Sequence, residues 1–385
     1  MTNRRQFLTS SMAFGGALMY SSGRIFSAQA GDIFEKRELT FLKNMLSTPS
    51  PSGYEQQVQK LWEEYTGKFA DVSTDYLGNK IGVINKNGKP RLMLSGHNDE
   101  IGFLVTYIDG DGFIYFDTIG GFDQSIIPGR RVMIHTSRGK VPGVIGKPPI
   151  HMMTSDDRNR PSKVKDLFID IGAKDGDKAK EAVTIGDPVT YTYEFIQLRD
   201  GIAVARGFDD RVGSFIVAEV LKKVKAAKGL KASVHGVASV QEEVGLRGAT
   251  ASAFGIDPDI GIAIDVTHAT DYPGISKKQA GDIKLGGGGS IARGPYLNPR
   301  VFDLLVKVAE KNNIPYQIEG TPRSTGTDAN AIQITRAGVA TGLISIPLRY
   351  MHTPVETLDL MDVKHIIDLV AAFAKALEPD MDLRP

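Results

Sequence analysis

The run Val234-His235-Gly236-Val237-Ala238-Ser239 is apolar enough to lie buried on both faces, and three residues beyond it stand two adjacent carboxylates, Glu242 and Glu243. A short, continuous apolar run reads as a strand inside a sheet. Side chains at i and i+1 of extended backbone diverge, so the two carboxylates cannot do the same job. One could ligate a metal while the other works beside it as a general acid or base. A solvated Glu-Glu pair at a strand end is the plain alternative.

Runs of the same kind recur along the chain. Leu92-Met93-Leu94-Ser95 leads into Gly96-His97-Asn98-Asp99, Ile260–Ile264 ends at Asp265, and Thr341–Pro347 precedes Tyr350-Met351-His352-Thr353-Pro354-Val355-Glu356. Amphipathic stretches alternate with them. Two helices are expected over 32–69, broken at Thr48–Gly53, and others over Pro299–Asn312 and Asp362–Leu377. A further helix to about Ala227 opens at Arg206-Gly207-Phe208-Asp209-Asp210. One Asp there suffices as a helix cap, which leaves the other free. Lys80–Asn85 reads as a strand, with Asn87-Gly88 closing a hairpin toward the next one. This alternation defines an α/β domain.

Between residues 104 and 195 the texture changes to short β-rich runs punctuated by Gly and Pro, without a long amphipathic helix. An all-β module is therefore expected inside the α/β domain, which divides into 31–103 and 196–385. His135 and His151 fall in the module without carboxylates at ligand spacing and read as structural. Gly286-Gly287-Gly288-Gly289-Ser290 lacks the Lys and the strand-loop-helix context of a phosphate loop. It reads as a flexible pocket wall.

The chain has 385 residues and no Cys, so any metal must sit on His, Asp or Glu. A formal charge of +1 gives no electrostatic case for nucleic acid. Asn3-Arg4-Arg5-Gln6-Phe7-Leu8, an apolar region from Ser11 to Tyr20 and Ala28-Gln29-Ala30 together read as a cleaved twin-arginine signal over residues 1–30. The apolar region falls short of the roughly 20 residues that span a bilayer. No stable membrane insertion is expected after cleavage, and the expected location is periplasmic.

His97, Asp209, Glu243, Asp265 and His352, with Glu242 beside them, thus lie mostly at or just beyond the ends of buried strands. In an open α/β sheet such ends converge on one crevice. Two His and three carboxylates suit a pair of borderline divalent metals such as zinc, cobalt or manganese. Asp99 shares a strand face with His97 and could orient its ring.

These residues sit in motifs that resemble the glutamyl, or tetrahedral, aminopeptidase family of dinuclear metallopeptidases, in the clan of co-catalytic zinc exopeptidases. The motifs are Ser95–Gly102 (SGHNDEIG), Phe208–Arg211 (FDDR), Val240–Gly245 (VQEEVG), Gly326–Ala329 (GTDA) and Leu348–His352 (LRYMH). The resemblance runs from Glu38 to Leu377. It implies a central mixed sheet flanked by helices, of zinc-exopeptidase type, with the inserted module a barrel-like dimerisation domain whose dimers build hollow dodecamers.

It further implies an aminopeptidase that removes N-terminal residues from peptides using two divalent metal ions per subunit, zinc first. Asp209 would bridge the ions, His97 and Asp265 would hold one, and Glu243 and His352 the other. Glu242 would be the general base, with Asp99 and Asp210 supporting the ligands and a cis peptide after Asp209. The family is usually cytoplasmic, and the export signal sets this chain apart.

Three rival readings start from the same residues. A carboxypeptidase or deacylase of the same clan would need a cationic pocket, for which Arg323 and Arg349 are candidates. An assembly scaffold without activity would have no use for Glu242. A glycosidase needs two carboxylates flanking a sugar, and nothing here demands that over metal binding.

Overall fold

In a computed structural model, residues 29–385 are described. All but the last two residues of the expected twin-arginine signal lie outside them. Among the described residues, no helix is long and apolar enough to cross a membrane.

The chain lays down β1 (Asp71–Thr74), β2 (Lys80–Ile84) and β3 (Arg91–His97). It then leaves for β4 (Gly102–Ile108), β5 (Ile114–Ile119), β6 (Arg131–Thr136), β7 (Gly139–Ile145), β8 (Ile169–Asp170) and β9 (Pro188–Tyr191). It returns through β10 (Ile196–Gln197) and β11 (Ile202–Ala205) to β12 (Ser233–Ser239) and β13 (Ile260–His268). The last strands are β14 (Gly289–Arg293), β15 (Tyr316–Gly320), β16 (Ala340–Leu348) and β17 (Glu356–Asp359). One eight-stranded mixed sheet runs β1-β2-β12-β3-β13-β16-β14-β15, β4-β5-β8-β7-β6-β9 close into a barrel, and β10-β11-β17 form a small third sheet. The fold is therefore the mixed α/β sheet with an inserted β barrel that the sequence leads one to expect.

The four apolar runs are the four central neighbours, β12, β3, β13 and β16, all mutually parallel. Parallel strands need helices on both faces, and here they have them. The helix Phe208–Lys225 packs on Leu92, Leu94, Val234 and Ile262, with the helix Leu360–Ala376 alongside. The helices Arg247–Ile256 and Asp328–Gln333 cover Met93 and Val237 on the other face. At Gly96 the first helix comes so close that a Cβ would lie 2.5 Å from the backbone of Gly213.

Three local expectations are corrected. β2 and β3 do not form a hairpin, because β12 inserts between them and pairs with both; the hairpin is β1–β2. The strand expected to end at Asp265 continues to His268, because β16 pairs with it along its whole length. The four-glycine stretch is pinned rather than loose. Gly286 and Gly288 donate their N–H groups to the buried Asp362 carboxylate at 2.8 and 2.7 Å, and a side chain at Gly288 (φ +87°) would run into the Pro315 carbonyl.

The barrel has its own core of Phe103, Val105, Ile114, Ile134, Val189 and their neighbours. Where the chain crosses into and out of it, buried Glu100 binds the guanidinium groups of Arg206 and Arg211. Burial works against that carboxylate, and the two guanidiniums outweigh it and lower its pKa.

Candidate metal centre

Parallel neighbours end on one edge, so side chains at or beyond those ends meet. His97 closes β3, Asp265 points from β13, Glu242 and Glu243 follow β12, and His352 follows β16. Asp209 arrives from the other direction, at the entry of the Phe208–Lys225 helix. Asp209 (φ −71°, ψ 107°) and Asp210 (φ −122°, ψ 34°) are non-helical and joined by a cis peptide. Their carboxylates part. Asp209 faces the cluster, while Asp210 turns under β3 and accepts the N–H groups of His97 and Gly213, each at 3.1 Å.

Asp209 stands between the two imidazoles. Its Oδ1 lies 3.2 Å from His97 Nε2 and its Oδ2 3.2 Å from His352 Nε2. On the His97 side are Glu242 Oε2 at 3.8 Å and Asp265 Oδ1 at 4.0 Å from Nε2. On the His352 side is Glu243 Oε1, 3.2 Å from Nε2. The structure thus gathers all six residues singled out in the sequence.

Groups behind them fix their directions. His97 Nδ1 donates to the Asp99 backbone carbonyl at 3.0 Å, closer than the Asp99 carboxylate at 3.4 Å. That carboxylate has other work: it accepts the Ser52 hydroxyl (2.7 Å) and the N–H groups of Glu242 (2.9 Å) and Glu243 (3.1 Å). Two further buried carboxylates escaped the sequence reading. Glu356 accepts the N–H of Asp209 at 3.1 Å and of His352 at 3.0 Å. Asp328 accepts the hydroxyls of Ser95 (2.7 Å) and Ser239 (2.6 Å), tying β3 to β12 just before their site residues. Asp328 lies in the GTDA motif and Glu356 in the stretch after His352, but their partners are far away in the chain, which no local spacing reveals.

Packing this many ionisable groups out of water sets their charges against one another. Burial raises Glu242 to about 10, helped by Asp265 and Asp328 and opposed by His97. Burial likewise lifts Asp265 well above the carboxylate range and raises Glu243. For His97 and His352 burial favours the neutral ring, but the surrounding carboxylates win. They push His97 well above its ordinary value and His352 up to about 11. Burial also opposes the charged form of Asp209, yet His352 and His97 together hold its pKa down.

Such a nest fits divalent cations. His97, Asp209 and Glu243 each offer a ligand atom within 4.8 Å of one another, as do His97, Glu242 and Asp265. Glu243 Oε1 is buried with no hydrogen-bond partner, since its contact with His352 lacks hydrogen-bond geometry. That oxygen keeps its lone pairs free to meet a cation. Imidazole and carboxylate without thiolate suit borderline metals.

Elsewhere, the module's histidines are apart from the cluster. His135 bonds the Thr190 hydroxyl at 2.8 Å, with its pKa lowered to about 4 by burial, and His151 is exposed. Arg349 is already paired with Asp271 at 2.7 and 2.8 Å, and Arg323 is exposed.

An open mixed sheet with a buried His-and-carboxylate nest at the ends of its parallel strands, and a barrel inserted after the third strand, is the zinc-exopeptidase type of α/β protein. Residues 78–369 match the model of the M42 glutamyl aminopeptidase family, and the chain belongs to that family. It is 36% identical to the lysyl aminopeptidase of Pyrococcus furiosus over 89% of this chain and 98% of that one. A solved TET aminopeptidase from a marine sediment Thaumarchaeota archaeon superposes with TM-score 0.85 at 34% identity, covering 89% of this chain and 97% of that one. The TET1 peptidase of Pyrococcus horikoshii can assemble into a tetrahedron or a large octahedral shell. It matches with TM-score 0.79 at 33% identity over 88% of this chain and 100% of its own.

Proposed function

We propose that this chain is a metal-dependent aminopeptidase in which His97, Asp209, Glu243, Asp265 and His352 hold two divalent cations and Glu242 is the general base. The observation that carries the reading is Asp209, whose two oxygens each face a different imidazole, with Asp265 on one side and Glu243 on the other. Bound there, two such cations, zinc first and cobalt or manganese as alternatives, supply Lewis acidity toward a carbonyl oxygen and bring the pKa of water near neutrality.

The chain's own groups do the rest. The Glu242 carboxylate takes the proton of the attacking water and returns it to the nitrogen of the departing peptide. Asp99, which holds the Glu242 N–H, fixes the backbone from which that carboxylate projects. Burial keeps bulk water from the site and strengthens each charge within it. The carboxypeptidase reading is disfavoured by Arg349, whose guanidinium is engaged by Asp271.

A homo-oligomer built through the barrel, dimers first and a dodecamer from them, is part of the proposal. It is supported by the assembling TET1 relative and by Tyr107, Val144, Ile150, Met152 and Ile185, all exposed on the inserted module. Residues 1–30 support export to the periplasm. Cell fractionation of the full chain against an Arg4→Lys, Arg5→Lys variant tests this: the variant stays in the cytoplasm, and equal distributions would defeat it.

The activity is tested on chelated protein reloaded with zinc, cobalt or manganese. It is given one peptide set with free N-termini and the same set N-acetylated, read by mass spectrometry. Metal-dependent loss of single residues from the free N-termini alone is expected. Cleavage of the acetylated set, trimming from the C-terminus, or no cleavage with any metal would each overturn the reading.

A further inference from the structure

The two sides of Asp209 are held unequally. His97 is buried, donates its Nδ1–H to the Asp99 carbonyl at 3.0 Å and donates its backbone N–H to Asp210 at 3.1 Å. His352 is a third exposed. Among the described residues no group hydrogen-bonds its Nδ1, so on the side away from Asp209 and Glu243 the ring is held through its backbone. That backbone is in an unfavoured state, with φ +60° at His352 and +61° at Tyr350. Left-handed conformations at non-glycine residues persist where the surroundings over-determine them.

What holds the turn is Glu356. It sits on β17 across from Ala205 of β11, where the strand leading to Asp209 meets the strand leaving His352. One carboxylate therefore takes both N–H groups, Oε2 that of Asp209 at 3.1 Å and Oε1 that of His352 at 3.0 Å. Asp209 has a second tether, since its neighbour Asp210 is anchored to His97 and Gly213.

We infer that Glu356 is a positioning residue for one cation of the pair: it seats His352 against Asp209 and so sets the affinity of the Asp209–Glu243–His352 side, not that of the His97–Asp265 side. The inference rests on the two-cation reading above. It makes Glu356 the counterpart of Asp210 and the Asp99 carbonyl, which seat His97 on the other side. Residues that orient metal ligands typically change metal affinity by about 10–100-fold when replaced.

The test needs no substrate. Full-length protein is stripped with a chelator and titrated with zinc by calorimetry, and with cobalt by visible absorption, as wild type, Glu356→Gln and Glu356→Ala. Gln fills the same space but offers one acceptor oxygen in place of two, so one N–H loses its partner while the fold is kept; thermal melts check this. The wild type should take two equivalents. Both variants should keep one equivalent at wild-type affinity and bind the second about 10–100-fold more weakly. Adding His352→Ala to Glu356→Gln should weaken that second equivalent no further than His352→Ala alone, because both remove the same arm. Two wild-type equivalents in Glu356→Ala would overturn the inference, and so would equal weakening of both. A wild type that takes only one equivalent would instead defeat the two-cation reading itself.

Discussion

Glu242 and His352 hold protons for opposite reasons. Burial disfavours the anion at Glu242 and lifts it to about 10, whereas Asp209 and Glu243 overcome burial at His352 and lift it to about 11. A cation needs its ligand His352 deprotonated, and its charge beside Glu242 favours the anion there, so at neutral pH it must displace protons, and affinity should climb as pH rises from 5 to 8. Calorimetric titration with zinc in buffers of different ionisation heat checks the sign. Protein-released protons should make the observed heat depend on the buffer, and buffer-independent heat would contradict it. Separate from binding is the proton transfer itself. Glu242→Gln should retain its metal content by elemental analysis while kcat falls by about 10²–10⁴-fold. Near-normal turnover would remove Glu242 as the base.

At the scale of elements, the site depends on one close approach. The Phe208–Lys225 helix reaches β3 because Gly96 and Gly213 leave no side chain between them, and this puts Asp210 under the His97 N–H. Gly96→Ala should lift the helix, cost about 1–3 kcal/mol in denaturant unfolding and weaken metal binding together with stability. Unchanged metal affinity in that variant would show that the approach is only structural. The pinned glycine turn adds a pH signature. Burial raises the Asp362 pKa to about 7 although two N–H groups oppose it. The folded state then binds this proton more tightly than the unfolded chain. The associated stability is complete below about pH 4 and lost as pH rises toward 7, on the order of 4 kcal/mol. Asp362→Asn should remove that fall from the melting-temperature profile, and an unaltered profile would reassign it. These elements also mark how far sequence reading reaches. The strands behind His97, Glu242 and Asp265 were legible because burial on both faces writes a continuous apolar run. The β2–β3 hairpin was misread because strand order in space follows from β12, a segment about 140 residues away that no turn signal anticipates. Glu356 stayed hidden for the same reason: its value lies in the pairing of β17 with β11.

At the scale of the molecule, the barrel is a closed body with its own core, joined to the rest by two chain crossings knotted at Glu100, Arg206 and Arg211. Closing a sheet removes its edges, so the barrel offers other subunits side chains rather than unpaired backbone. Exposed Tyr107, Val144, Ile150, Met152 and Ile185 are the apolar side chains it has to offer. If they are covered by another copy, replacing Tyr107, Val144 and Ile185 with Lys should leave the barrel core intact, because none of the three belongs to it. The particle mass by light scattering should then fall toward that of the single subunit. Metal stoichiometry should persist, since no site residue comes from the barrel. A particle of unchanged mass would move the interface off the barrel. Loss of metal along with mass would mean that the Glu100 knot, one residue from Asp99 and three from Asp209 through Arg206, carries the state of the assembly into the site.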